Sequence, residues 1–371
     1  MNSRTRIFEK AEMEMNSDYL SIVPEEPMRV LSSAVLNSGF GKTNCVLNYH
    51  VEKDFDSGEP GEFLKGKLDN LGLPEDTVGM MTAAETDNPA VSTAGEEELK
   101  VCAVVTVGLS KAVTAGYKSW HDRSPGTINI VVLVDGCMGE RAMVDAVRTA
   151  TEAKTVAMKE LDIRNTERSR TASGTPTDSV VIASTEEGAE CDYAGPTTLI
   201  GELIGRATRR AVREGLKDCG ITPSRSLEER LEERGISFDD LLDTAEEAFV
   251  FHPDSSSEEG TVDLLREELK KWMKDVNVGS LVIGGLHLNE VGDQGNLPEL
   301  PAKDFESDPV HLISDEILGM RIANYINGEK GVFEFERVDR SKPGILKELG
   351  PFTDDVVGGL IAGACSRVYE R

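Results

Sequence analysis

Two groups of polar residues in this chain stand where solvation alone would not put them. Near the C-terminal end, Asp315 and Glu316 interrupt the apolar run Leu312 to Met320. Asp354 and Asp355 lead into Val356-Val357-Gly358-Gly359, and Asp339 stands three residues before Lys342. A carboxylate buried alone costs several kcal/mol, so such acids need cations or a shared proton. Oxygen ligands drawn from several helices suit Mg²⁺, which takes one or two carboxylates together with waters and substrate phosphate. Asp315, Glu316, Asp339, Asp354 and Asp355 are therefore the candidate ligands, with Arg337, Arg340 or Lys342 placed against phosphate charge. The competing account is structural: Asp354 and Asp355 complement a helix N-terminus, and Asp315 is exposed.

The second group lies upstream, at the ends of apolar strands, where open α/β sheets hold their ligands. Asn129 and Asp135 stand near the two ends of the run Ile128 to Val134, Glu152 sits in the following helix, and the polar loop Ser173 to Asp178 feeds Ser179 to Ser184. An acid beside hydroxyls at such an edge can orient a water or receive its proton. The bland alternatives are that Asp178 caps a turn and Glu152 pairs with a nearby base. This half offers no Ser-His-Asp order. Its histidines are His50 and His121, the latter beside Trp120 in a polar loop.

The elements that must position these residues divide near residue 220. Met28 to Val35 is expected to begin the ordered upstream domain, with strands at Val78 to Ala83, Val101 to Leu109, Ile128 to Val134 and Ser179 to Ser184. The last three are almost wholly apolar or small, which implies burial on both sheet faces. Helical spacing runs from Glu140 to Leu161 through Met143, Val147, Ala150, Lys154 and Ala157, and again from Thr198 to Leu216, which ends in an arginine stripe. Downstream, helices are expected at Leu227 to Phe251, Val262 to Val276, Val278 to Glu290, Pro309 to Asn327 (capped by Asp308) and from Thr353 onward; Gly331 to Phe335 is the one short strand candidate. The resulting plan is a flexible extension at 1–27, an α/β domain with a largely buried sheet at 28–217, a linker at 218–226, and an all-α helical bundle at 227–371.

Gly39-Phe40-Gly41-Lys42-Thr43 invites a phosphate-loop reading, but the motif needs glycine where Leu36 stands, so a glycine-rich turn into a helix is preferred. The 371-residue chain has a formal net charge of -27, with acid in excess in both halves. That surface repels phosphate backbones and anionic lipid, which argues against nucleic acid and membrane as partners; it suits a salt-rich cytoplasm or a thermophile's ion pairs. The 6 cysteines are scattered without zinc spacing, and no apolar run reaches membrane length. A cytoplasmic protein with reduced thiols is expected, and no feature sets its oligomeric state.

Six upstream segments in order resemble the archaeal-type adenosylcobinamide amidohydrolases: Arg29 to Ala34, Val105 to Ser110, Gly126 to Ile130, Ala150 to Thr155, Ser173 to Asp178, and Tyr193 to Pro196 with Ile200 to Gly205. The resemblance implies hydrolysis of the amide joining aminopropanol to the corrin ring of adenosylcobinamide, giving adenosylcobyric acid, with no cofactor implied. On that chemistry, Asp178 and Glu152 are the leading catalytic acids assisting a water, and Thr175 and Asn129 bind the amide. Downstream, Asp315 to Met320, Asp339 to Ile345 and Phe352 to Gly359 resemble the phosphatidylglycerophosphatase A superfamily, and within it the soluble α-ribazole-5′-phosphate phosphatases. This implies an all-helical, divalent-metal-dependent phosphomonoesterase acting on α-ribazole 5′-phosphate, with Asp315 and Asp355 catalytic. Two rival functions remain: an upstream corrinoid carrier that cuts nothing, and an ATP-dependent corrinoid kinase using Lys42 and Thr43.

Overall fold

Every position from Ile128 to Val134 is buried, and all but Asn129 are apolar, because both faces of that strand are covered. The computed structural model describes residues 3–8, 10–56, 58–117, 126–165, 170–250 and 258–371. The chain forms two compact units, Met1–Pro223 and Ser224–Arg371. The upstream unit begins with strands Ser3–Phe8 (β1), Ala11–Met15 (β2), Tyr19–Pro24 (β3), Met28–Ser32 (β4), Gly39–Thr43 (β5) and Val46–His50 (β6). Helix Pro60–Leu71 (α1) precedes Val78–Thr82 (β7), Ala90–Glu96 (β8), Leu99–Gly108 (β9), Thr127–Asp135 (β10) and Cys137–Met138 (β11). Helix Glu140–Glu160 (α2), strands Ser179–Ser184 (β12) and Glu190–Cys191 (β13), and helix Leu199–Asp218 (α3) complete it.

Two mixed sheets result, ordered β1-β2-β3-β6-β7 and β5-β4-β12-β10-β9-β8. In the second, β10 and β12 are parallel, with Asn129 opposite Ser179, while β9 pairs antiparallel to β10 with Thr106 opposite Asn129. Alternation along β10 decides what each face meets. Ile128, Ile130, Val132 and Val134 pack with α2 and α3, whereas Val131 and Leu133 pack with Leu20, Ile22 and Met80 of the other sheet. Leu64 and Leu68 of α1 cover Leu47 beyond that sheet. The order of layers is helices, sheet, sheet, helix.

Residues 1–27, expected as a loose extension, instead supply β1, β2 and β3. The cause is period-two patterning in Ala11-Glu12-Met13-Glu14, which buries Ala11 and Met13 and leaves both glutamates half-exposed. Gly39 to Thr43 is likewise no turn into a helix, but the terminal strand of its sheet, antiparallel to β4. Lys42 Nζ lies 2.7 Å from Glu186, and the Thr43 hydroxyl donates to the carbonyls of Cys45 and Asp76 at 2.6 and 2.8 Å. A phosphate cradle needs those groups free, so the kinase reading has no loop to stand on.

The described elements of the downstream unit are helices: Leu227–Glu232 (α4), Phe238–Ala248 (α5), Glu258–Trp272 (α6), Val276–Asp293 (α7), Ala302–Phe305 (α8), Ser314–Ser341 (α9) and Pro351–Val368 (α10), with a 3₁₀ turn at Gly344–Glu348. The single helix expected over Leu227 to Phe251 is two. Ser226 with Glu229, and Ser237 with Asp240, form reciprocal capping boxes that restart the helix, and Gly235 turns between them at φ 81°. Asp308 does not cap a helix at Pro309, since it sits at φ 48° and α9 starts at Ser314.

Helix α10 is buried at every position from Pro351 to Ser366, as a helix apolar all round must be. A Cβ on Gly359 would run into the Gly319 carbonyl, so glycine is what lets α9 and α10 approach so closely. Helix α9 breaks at Asn327 and Gly328, whose φ values are -145° and 59°. Its second limb folds back along the first: Phe335 lies against Gly319, which a straight helix would hold about 24 Å away. Gly331 to Phe335, the candidate strand, belongs to that returning limb. Among the described residues, no helix is long and apolar enough to cross a membrane.

Candidate active sites

In the upstream unit the two-sheet interface turns polar at one end. The Asn48 side chain donates to Thr106 Oγ1 at 2.8 Å, and Asn129 donates to Asn48 Oδ1 and to the Met81 carbonyl, both at 2.8 Å. Asn129 Oδ1 is buried without a hydrogen-bond partner. Thr127, two residues before Asn129 and on the same strand face, shares a 2.6 Å hydrogen bond with Thr177. Thr127 also borders a cavity of about 400 Å³ lined by Gly108, Leu109, Ser110, Glu85 and Gly215.

Asp178 anchors this end. Its Oδ1 accepts from the Ile128 backbone N–H at 2.9 Å and from the Thr175 hydroxyl; its Oδ2 accepts from the Thr175 N–H at 3.1 Å and from Lys154 Nζ. A carboxylate offers about four acceptor positions, and all of them are taken. The Lys154 and Asp178 side chains are only 8% and 12% exposed, so the pair ties α2 to the loop before β12 in a poorly solvated place. Gly174 makes room: a Cβ there would lie 2.6 Å from Lys154 Nζ. Asp178 does cap its own turn, through the Thr175 N–H, and it is also the hub of a lysine–hydroxyl cluster.

Of the residues expected to act here, Asp178 and Thr175 are in contact, and Asn129 lies one strand residue beyond Ile128, whose N–H Asp178 accepts. Glu152 is apart from them. It precedes Lys154 by two residues on α2, hence about 200° round the helix, and lies 3.9 Å from Arg148. It borders instead a groove of about 620 Å³ with Arg206, Arg209, Arg210 and Arg213 of α3. The groove's salt bridges include Arg209 and Arg213 to Glu160, which those contacts hold below the usual carboxylate range against the opposing effect of burial. His50 is engaged with the Ala84 carbonyl at 2.9 Å, and His121 lies outside the described residues. Burial pushes the Cys102 thiol up to about 12, which suits an inert core cysteine. Lys154 was legible only as one position in an apolar helical stripe; a lysine in that stripe is the signal that a buried partner exists.

The downstream acids converge. Asp315, at the start of α9, and Asp355, in the first turns of α10, are 1% and 3% exposed. Ligand oxygens of Asp315, Glu316 and Asp355 all lie within 4.8 Å of one another. Burial pushes the Asp315 carboxyl up to about 8, with Glu316 adding to it. It pushes Asp355 up to about 9, with Asp354, Asp339 and Asp315 reinforcing. Glu316 Oε2, Asp354 Oδ1 and Asp355 Oδ1 are buried without hydrogen-bond partners. Orphaned carboxylate oxygens at this density fit a hard divalent cation, which would replace the missing donors and reverse the local pKa trend. Asn289, which sequence reasoning missed, supports the start of α10 by accepting the Thr353 N–H at 3.4 Å and donating to Asp293 at 3.2 Å.

Lys342, the left-handed C-cap of α9, bonds Asp354 and lies 3.5 Å from Asp308 and 3.8 Å from Asp339. Burial raises Asp354 to about 6 despite that bond. Arg337 and Arg340 do not join this group. They follow the other side of the returning limb, where Arg337 is held by Glu334 and by the Ala248 carbonyl at 2.5 Å, and Arg340 pairs with Glu336 at 2.6 Å. With Phe333 they line a separate groove of about 430 Å³.

Residues 3–222 match the family described as CbiZ, adenosylcobinamide amidohydrolase. The chain is similar to an adenosylcobinamide amidohydrolase of Methanosarcina mazei, 27% identical over 194 residues, which is 50% of this chain and 88% of the relative. It is also 39% identical over 110 residues to the uncharacterized Methanocaldococcus jannaschii protein MJ1330, covering 29% of this chain and 84% of that protein. Among solved structures, the low temperature requirement C protein of Listeria monocytogenes matches 39% of this chain and 92% of its own, at 27% identity and a TM-score of 0.33.

Proposed function

The chain belongs to the adenosylcobinamide amidohydrolase family through residues 3–222, and we propose that it joins that hydrolase to a metal-dependent phosphomonoesterase in its downstream unit. The upstream reaction is hydrolysis of the aminopropanol amide of adenosylcobinamide: water oxygen bonds the carbonyl carbon, the C–N bond breaks, and the amine leaves with a proton. The saturated state of Asp178 supports a division of labour. Its carboxylate keeps Lys154 paired and oriented; it can take a proton only after losing one donor, and the Thr175 hydroxyl is the donor free to rotate toward a substrate. The open Asn129 Oδ1 suits the amide N–H, and the cavity beside Thr127 suits the aminopropanol arm. Glu152, turned to the arginine groove, is given no step.

The downstream reading is an all-α phosphatase of α-ribazole 5′-phosphate, with Asp315, Glu316 and Asp355 holding Mg²⁺ and Asp339 and Asp354 beside them. The observation that carries it is the Asp355 oxygen buried with no donor. Bound Mg²⁺ would polarise phosphoryl oxygens and lower the pKa of a coordinated water. Lys342 supplies positive charge at the same place, against the charge that develops on the phosphoryl oxygens. A cytoplasmic setting belongs to this reading, supported by the free cysteines.

The test is a two-substrate assay on the full chain. Adenosylcobinamide should yield free aminopropanol with or without EDTA, and α-ribazole 5′-phosphate should yield phosphate only without it. Corrinoid binding with no aminopropanol released would make the upstream unit a carrier. Phosphate release indifferent to EDTA would remove the metal from the downstream reading.

A further inference from the structure

Six carboxylates gather at the ends of α9 and α10, in two subsets. Asp315, Glu316 and Asp355 form one, close enough to share a cation. Asp308, Asp339 and Asp354 form the other, and all three lie within 4.0 Å of a single ammonium, Lys342 Nζ. The two subsets adjoin, because Asp354 and Asp355 are consecutive and Cα atoms across one peptide are about 3.8 Å apart.

Lysine's ammonium is a compact point charge, and three oxygens around it reproduce much of a small cation's surroundings. Its placement costs the backbone something. Lys342 holds φ 41° and ψ 64°, a left-handed conformation that disfavours any residue with a Cβ by roughly 1–2 kcal/mol. Burial alone would lower the ammonium's pKa, yet Asp354, backed by Asp339 and Asp308, raises it above the ordinary lysine value. Enzymes that displace phosphate esters often clamp the transferred group between two metal ions about 3.5–4 Å apart. Here one of the two adjoining acid subsets already holds a cation, and it belongs to the chain.

We infer that Lys342 stands where a second metal ion would otherwise sit, so that the phosphatase works with one divalent ion and one fixed ammonium. This rests on the metal-dependent reading above and narrows it. Asp355, Asp315 and Glu316 ligate the ion. Asp354, Asp339 and Asp308 hold Lys342 beside those ligands, where the ion and the ammonium would together supply the positive charge that a phosphate needs. Lysine brings one positive charge where a metal would bring two, so the site favours a monoester dianion leaving as free phosphate over more highly charged polyphosphates.

Mn²⁺ titration of the full chain, read by bound-metal analysis and electron paramagnetic resonance, tests this. The wild type should bind one Mn²⁺ per chain, with the spectrum of an isolated ion. Lys342→Met should bind a second, with exchange coupling between the two, while Lys342→Arg keeps the stoichiometry at one. Circular dichroism checks that each variant is folded, and the wild-type stoichiometry stands even if Lys342→Met is not. Two ions on the wild type would overturn the inference and leave the metal-dependent phosphatase intact. A folded Lys342→Met that still binds only one would also overturn it. No Mn²⁺ on the wild type would remove both.

Discussion

The two units treat buried carboxylates in opposite ways. Asp178 upstream is saturated: two backbone N–H groups, a hydroxyl and an ammonium fill its acceptor positions. Asp355 downstream is starved, with an orphaned oxygen; its neighbour Asp315 keeps one backbone donor, the Glu316 N–H at 3.0 Å, and burial shifts both toward the neutral form. A saturated carboxylate is stable as a charge, so its use is to orient what it holds. A starved one is stable only as an acid or beneath a cation, so its use is to bind. Burial alone does not distinguish these two; the census of donors does.

The largest expected effect severs the units functionally. Asp355→Asn or Asp315→Asn should cut phosphate release at least about a hundredfold, by removing charge that holds the cation, while aminopropanol release continues at its wild-type rate. Parallel assays of both products check this, and joint loss of the two activities would refute independent sites.

Next is the saturated hub. Asp178→Asn leaves the Lys154 ammonium buried without its counter-charge, and breaking such a pair from one side costs about 3–5 kcal/mol. Thermal unfolding of the upstream unit should fall accordingly, and amide cleavage with it. An unchanged melting temperature would mean that the pair is solvated and the contrast with Asp355 is false.

A smaller effect concerns pH. Carboxyls raised in the folded state bind protons that the unfolded chain has released, so folding stability falls as pH rises through that interval. For Asp355 and Asp315 the interval runs from the ordinary carboxylate value, about 4, to about 9 and about 8. Metal-free protein should therefore melt lower at pH 9 than at pH 5 in its downstream transition, and Mg²⁺ should remove most of that difference. Calorimetry with and without chelator measures it; a pH-independent transition in chelator counts against starvation.

The smallest effect belongs to a residue the sequence made conspicuous. Lys42→Ala removes only an exposed pair with Glu186, and such pairs are worth about 0–1 kcal/mol. Stability and both activities should stay near wild type, and ATP should bind neither protein. Detectable ATP binding lost on substitution would reopen the kinase reading.

Much of this was legible in the chain because burial on two faces leaves a plain mark. Val101 to Leu109, Ile128 to Val134 and Ser179 to Ser184 admit little but apolar or small residues, and all three are strands of one sheet. The acids at 315, 316, 354 and 355 were conspicuous for the converse reason, as charges in apolar helix. Strands β1 to β3 were harder to see, since one face of that sheet carries Glu12 and Glu14; the alternation was present but half polar.

The sequence by itself determined the two-part plan, the helix and strand types of its most apolar segments, and which acids had no solvated place to go. All of that follows from period and composition, which are local. Only the tertiary structure decided that Asp178 is already full, that Glu152 faces away from it, that Arg337 and Arg340 leave the acid cluster, and that Lys342 enters it. Those outcomes depend on helix phase, on the reversal at Asn327 and Gly328, and on donors brought from distant strands. The number of donors reaching an oxygen is a property of the fold, and no spacing along the chain encodes it.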